Sequence, residues 1–141
     1  MSNCIFCRII NGEIPASTVY EDEKVIAFMD IAPINSGHVL VVPKQHVQDV
    51  FTLDESLGGH LYQVAVRISK ALKHTDLKCE GINLLQNNGV AAFQEVMHVH
   101  LHIIPRYRGD GMRVKWGAKA ARRDELEAAA EAIKQQLNHE P

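Results

Sequence analysis

The stretch MHVHLHII, residues 97 to 104, carries His98, His100 and His102 on alternate positions, with Val99, Leu101 and Ile103 between and beside them. Imidazole is a metal ligand, a proton carrier and a nucleophile near neutral pH. On a strand the three rings share one face, with successive members about 6.5 to 7 Å apart, and the three aliphatic side chains share the other. On a helix, neighbours two apart would point to nearly opposite sides. One strand histidine is an ordinary surface or core residue. Three on one face would repel one another if charged, so the row reads as a functional constellation. Two chemistries are open. The row could ligate a metal through neutral imidazoles. Alternatively, one ring attacks phosphorus and leaves a covalent intermediate that water opens. That ring must be neutral, with its second nitrogen held by an acceptor.

A second candidate cluster is CIFC, where Cys4 and Cys7 have a spacing used by zinc sites and by redox disulfides. A thioredoxin-like role needs a strand-to-helix junction in a βαβ unit, and the pattern offers none. Two cysteines make half a zinc site, and two reduced thiols are the alternative. Cys79 reads as a small turn residue, and His60, His74 and His139 as surface.

The elements that must position these groups follow from periodicity. Strands are predicted over Thr18–Glu21, Lys24–Asp30, His38–Val42, Ile82–Asn87 and Val96–Ile104, the third and fifth closed by Pro43 and Pro105. Thr52 and Glu55 resemble a capping box, and Leu57, Leu61, Val64, Ile68 and Leu72 recur at helical spacing, predicting a helix from Asp54 to Lys73. Gly58 and Gly59 each weaken it by roughly 1 kcal/mol. A second helix, capped by Asp124, carries Leu126, Ala130, Ile133 and Leu137 on one stripe. The expected class is α+β, with a mainly antiparallel five-stranded sheet, one long central helix and a C-terminal helix.

The chain has 141 residues, 46% of them hydrophobic, and a formal net charge of -2. That predicts one domain over residues 1–141 and gives no reason to expect nucleic-acid or anionic-membrane binding. Arg106, Arg108, Arg122 and Arg123 read mostly as solvated surface. No apolar run reaches membrane-span length, the first residues do not read as a secretory signal, and the few cysteines suit a reducing compartment. A soluble cytoplasmic protein is expected.

HVHLHII matches the His-x-His-x-His-x-x signature of the histidine triad (HIT) family. FCRIINGEIPA, the segment from Phe28 through DIAPINSGHVLVVPK, and NNG before QEVMHVHLHIIPR also resemble that family, in order. The resemblance covers roughly residues 4 to 116 and is greatest to the bacterial Hint-like branch. Residues 117–141 would be a helical extension. It implies a HIT-like fold and cleavage of nucleoside phosphoramidates or related nucleotide conjugates at the α-phosphorus, with a purine nucleotide (AMP- or GMP-like) as substrate. Dinucleoside polyphosphate hydrolysis and non-catalytic nucleotide binding are the alternatives. His100 maps to the nucleophile, His98 and His102 to its supports, and His38 to the upstream fourth histidine. Asp30 matches the acidic residue that grips the ribose hydroxyls. Phe6, Ile9, Phe28 and Ile31 match the walls around the base, although Phe28 also reads as ordinary core. Asn87 and Gln94 match the polar residues near the phosphate.

The resemblance also completes the half zinc site with His46 and His98, implying a structural zinc on Cys4, Cys7, His46 and His98, and no organic cofactor. A homodimer is implied, with the long helix at its interface. Trp116 resembles a tryptophan that lies near the partner subunit's active site in Hint-like relatives. Two positions depart from the pattern. Phe93 stands where relatives commonly have glycine, removing conformational freedom, and Glu95 stands where many have serine.

Overall fold

The computed structural model describes residues 3–113 and 117–138. The elements run α1 (Ile5–Ile10), β1 (Thr18–Glu21), β2 (Val25–Met29), β3 (Val39–Pro43), α2 (Glu55–Lys73), β4 (Gly81–Leu85), β5 (Leu101–Arg106) and α3 (Arg123–Asn138). The strands form one antiparallel sheet in the order β1-β2-β3-β5-β4, which bears out the expected α+β class and sheet. The strand order puts the histidine-bearing β5 inside the sheet, between β3 and β4. Leu40 opposes His102, and Val39 opposes Ile103.

Each face of the sheet has its own core. One face, with Val25, Ala27, Val39, Val41 and Ile103, packs on Leu57, Leu61, Val64, Ala65 and Leu72 of α2. Val99 is buried in the same cluster and Leu101 packs against it, so the aliphatic half of the histidine segment faces the long helix as expected. The other face, with Ile26, Phe28, Leu40 and Val42, packs on Phe6 of α1. His102 opposes Leu40 in the ladder and therefore belongs to this second face.

The structure corrects several expectations. The strand predicted over Val96–Ile104 begins only at Leu101. His98 and His100 lie in an irregular lead-in, tied back by the Val99 N–H donating to the Val47 carbonyl at 2.8 Å. Pro105 does not close the strand but pairs with Ile82 inside it. It lies beyond the last β3 rung, where β5 has a sheet partner on one side only, and there the missing N–H is tolerated. The cap of α2 is Asp54, whose carboxylate accepts the Leu57 N–H at 3.1 Å, while Thr52 belongs to a short 3-10 turn. The helix α1 was not predicted, because six residues are too few to show a period.

Gly37 shows why SGH precedes the third strand. It has φ +93°, and a Cβ there would stand 2.6 Å from the Leu77 side chain. Only glycine supplies that left-handed conformation and that close approach, and it delivers His38 to the second face.

Candidate active site and metal cluster

His98 is fully buried at the N-terminal end of the row. Its Nε2–H donates to the Pro43 carbonyl at 2.8 Å, which leaves the Nδ1 lone pair free. That Nδ1 lies 3.3 Å from Cys4 Sγ, 3.7 Å from Cys7 Sγ and 3.1 Å from His46 Nδ1. Cys7 Sγ is 3.3 Å from His46 Nδ1. Zinc–sulfur bonds of about 2.3 Å and zinc–nitrogen bonds of about 2.0 Å give tetrahedron edges of about 3.3 to 3.8 Å, so the donor set fits a single zinc ion. The carbonyl behind His98 is the outer-shell partner such a ligand needs. The short helix α1 aims the thiols: Cys4 is its N-cap, with Sγ accepting the Cys7 N–H at 3.4 Å. Burial pushes the Cys7 thiol pKa up, and the neighbouring Cys4 adds to this.

His100, two residues on, has the opposite tautomer. Its Nδ1–H donates to the His98 carbonyl at 2.7 Å, so its free lone pair is on Nε2. His102 is set by a longer relay. The Ile34 N–H donates to His38 Nδ1 at 3.2 Å, so neutral His38 carries its proton on Nε2. That Nε2–H meets His102 Nδ1 at 2.9 Å, so His102 in turn carries its proton on Nε2 and can donate it. The rings of His100 and His102 are 4.9 Å apart. A lone pair and an N–H therefore sit side by side, suited to attack at phosphorus beside a donor to its oxygens or leaving group.

Burial lowers the pKa of His38, His98 and His100, and takes His102 down to about 4. For His102 the neighbouring His100 and His38 push further in the same direction, while Asp30 opposes them. The row is thus held neutral at pH 7, as a nucleophile requires. A standing charge on a neighbour is disfavoured by burial.

The proposed nucleotide residues divide. Phe6 packs edge-on against both Phe28, at 5.6 Å, and His100, at 5.0 Å between ring centroids. Ile9 packs on the same cluster. Phe28 is buried core within that wall, whereas Ile31 is 95% exposed. Asp30 accepts the Ala32 N–H on one oxygen at 2.9 Å, and its other oxygen lies 3.6 Å from His38 Nε2. Asn87 donates to the Phe93 carbonyl at 3.3 Å. Gln94 is buried and its side chain is engaged by backbone groups, accepting from Gly89 N–H and donating to the Gln48 and Val96 carbonyls. Phe93 keeps φ at +69°, the left-handed geometry that favours glycine, and leaves its ring 82% exposed. Trp116 lies outside the described residues.

Sequence reasoning missed three contributors. The Pro43 and His98 carbonyls and the Ile34 N–H set the tautomers, and backbone groups leave no mark in side-chain spacing. Arg106, read as surface, instead holds Asp110 through two nitrogens. Asn35 donates to that carboxylate and to the Pro105 carbonyl, fixing the His38 loop against β5. His60, read as free surface, bonds Asp22 at 2.6 Å on the α2 face. A shallow depression beside it is lined by Lys24, Lys44, His60 and Gln63, and its Lys44 and His60 are already paired, with Glu21 and Asp22.

Comparison with known proteins agrees with this geometry. Residues 11–109 match the HIT domain family. The chain is 39% identical over 140 residues to the adenosine 5'-monophosphoramidase HNT1 of Candida albicans, covering 96% of this chain and 92% of that one. A HIT family protein from Bacillus anthracis superposes with a TM-score of 0.90 at 43% identity, covering 95% of this chain and 96% of that one. A zinc-bound histidine triad family protein from Mycobacterium smegmatis superposes with a TM-score of 0.75 at 36% identity, covering 97% of this chain and 96% of that one.

Proposed function

The chain belongs to the HIT domain family, and from that premise we propose that it is a nucleotide hydrolase or transferase cleaving purine nucleoside phosphoramidates through a nucleotidyl-His100 intermediate. The observation that carries this reading is the pair of tautomers: His100 Nε2 offers a lone pair beside the Nε2–H of His102. His100 Nε2 forms a bond to the α-phosphorus as the phosphorus–amine bond breaks. The amine leaves with a proton taken from solvent, while His102 Nε2–H donates a hydrogen bond to the phosphoryl oxygens. The His98 carbonyl, accepting from His100 Nδ1–H, stabilises the positive charge that grows on the attacking ring. Water then attacks phosphorus and gives its proton to solvent, the phosphorus–His100 bond breaks, His100 is restored with Nε2 free, and the nucleoside monophosphate leaves. Phe6 and Ile9 would wall the base, Asp30 would accept from the ribose hydroxyls, and Asn87 would approach the phosphate.

Cys4, Cys7, His46 and His98 would hold a structural zinc, which supplies a cross-link between α1, the segment after β3 and the histidine row. The whole chain, residues 1–141, is read as one HIT domain with a helical extension, acting as a homodimer in the cytoplasm. Among the described residues no helix is long and apolar enough to cross a membrane.

The test is His100→Ala assayed with adenosine phosphoramidate, together with trapping of the adduct at alkaline pH, where a phosphorus–imidazole bond survives, and mass spectrometry. Turnover should fall at least about 1,000-fold, and wild-type protein should carry a nucleotidyl group on His100. Undiminished turnover in the variant refutes the mechanism.

A further inference from the structure

Nothing in the catalytic reading uses α3. None of its residues is buried, and Leu126, Ile133 and Leu137 are 46%, 61% and 63% exposed on one stripe with Ala130. A helix of this length is marginal in water unless an apolar face is covered. The stripe recurs at intervals of four, three and four residues, which is the a/d seam of a two-heptad coil. Four carboxylates against two cations on the helix make an anionic membrane a poor occupant.

We propose that α3 pairs antiparallel with α3 of a second copy of this chain. In that arrangement Leu126 faces Leu137 of the other copy, and Ala130 faces Ile133, so each central layer sets a small side chain against a large one. Parallel pairing would set Ala130 against Ala130 and leave a void. The flanking charges agree. Glu127 and Lys134 occupy equivalent edge positions, and antiparallel pairing brings each beside its opposite on the other copy, twice by symmetry. Among the described residues of one chain, Glu127 pairs with the exposed Arg123, 3.8 Å away. Two heptads are too short to hold two copies alone, so the contact rests on the homodimer of the preceding reading, which supplies the effective concentration.

The test uses full-length chains. Leu126→Cys and Leu137→Cys proteins are mixed under mild oxidation, and disulfides are assigned by peptide mass spectrometry alongside sedimentation. A dimer whose 126–137 cross-link exceeds either self-link at least tenfold is the expected result. Predominant 126–126 and 137–137 links mean parallel pairing and overturn the proposal. A dimer with neither kind of link overturns it while leaving the homodimer intact, and a monomer overturns both, whatever the hydrolase assay gives. Glu127→Lys and Lys134→Glu, introduced into the Cys pair, guard against a geometric accident. A mixture in which every chain carries the same charge change should lose most of the cross-link. Combining Glu127→Lys in one chain with Lys134→Glu in the other should restore it, because both edge pairs become complementary again.

Discussion

His98 and His100 are two residues apart, both buried, and both hydrogen-bonded to a carbonyl, yet they present opposite nitrogens. His98 gives its Nε2–H to Pro43 and turns Nδ1 toward two thiols and His46. His100 gives its Nδ1–H to the His98 carbonyl and keeps Nε2 free. The first is closed by three neighbouring donors, as a ligand in a structural metal centre is, and the second is left open beside a donor. The role of an imidazole here is therefore decided by which nitrogen the backbone engages, not by the residue type. His102 makes the point again, because the Ile34 N–H sets its tautomer through His38.

The largest effect should come from separating the two ends by mutation. His100→Ala should abolish turnover, as above, while leaving the melting temperature within a few degrees of wild type. Cys7→Ser should do the reverse. It should lower the melting temperature by about 10 °C, as loss of a few kcal/mol does in a domain of this size, and lose bound zinc by elemental analysis. Turnover per folded molecule should change by less than about tenfold. Equal loss of stability in both variants would break the division.

A smaller effect is expected from pH. The folded-state pKa of His102 lies at about 4, below the ordinary histidine value. The neutral form is favoured by folding, so its contribution to stability is fully present above about pH 6.5 and is lost as pH falls from there toward 4. By the same sign, kcat/KM should hold between pH 7 and 5.5, where an exposed histidine would already be charged, and fall below pH 5. An acid limb centred on 6.5 would contradict it. The smallest effect belongs to the loop before the row. Phe93→Gly relieves a left-handed aromatic residue and should stabilise the protein by about 1 kcal/mol in urea unfolding, with turnover moving less than for any change in the row.

Much of the fold was legible in the sequence because its signals are local and periodic. The stripe Leu57, Leu61, Val64 and Leu72 gave α2 nearly to the residue, and β-branched runs gave β2 and β3. The histidine segment was legible in sidedness but not in structure, since the chain reaches ladder geometry only at Leu101. The N-terminal helix was invisible, being too short for a period, although it supplies Phe6 and both thiols. Arg106 and His60 looked like surface because their partners, Asp110 and Asp22, carry no motif.

By itself the sequence determined which residues could do chemistry and on which side they stand, since alternation of side chains is a property of the strand backbone alone. Tertiary structure decided what each could do. It brought Cys4, Cys7 and His46 to His98 from far along the chain, and it chose the proton position on every ring through carbonyls and N–H groups contributed by other segments. A hydrogen bond to the backbone depends on where the chain passes, and that is fixed only once both faces of the sheet are packed.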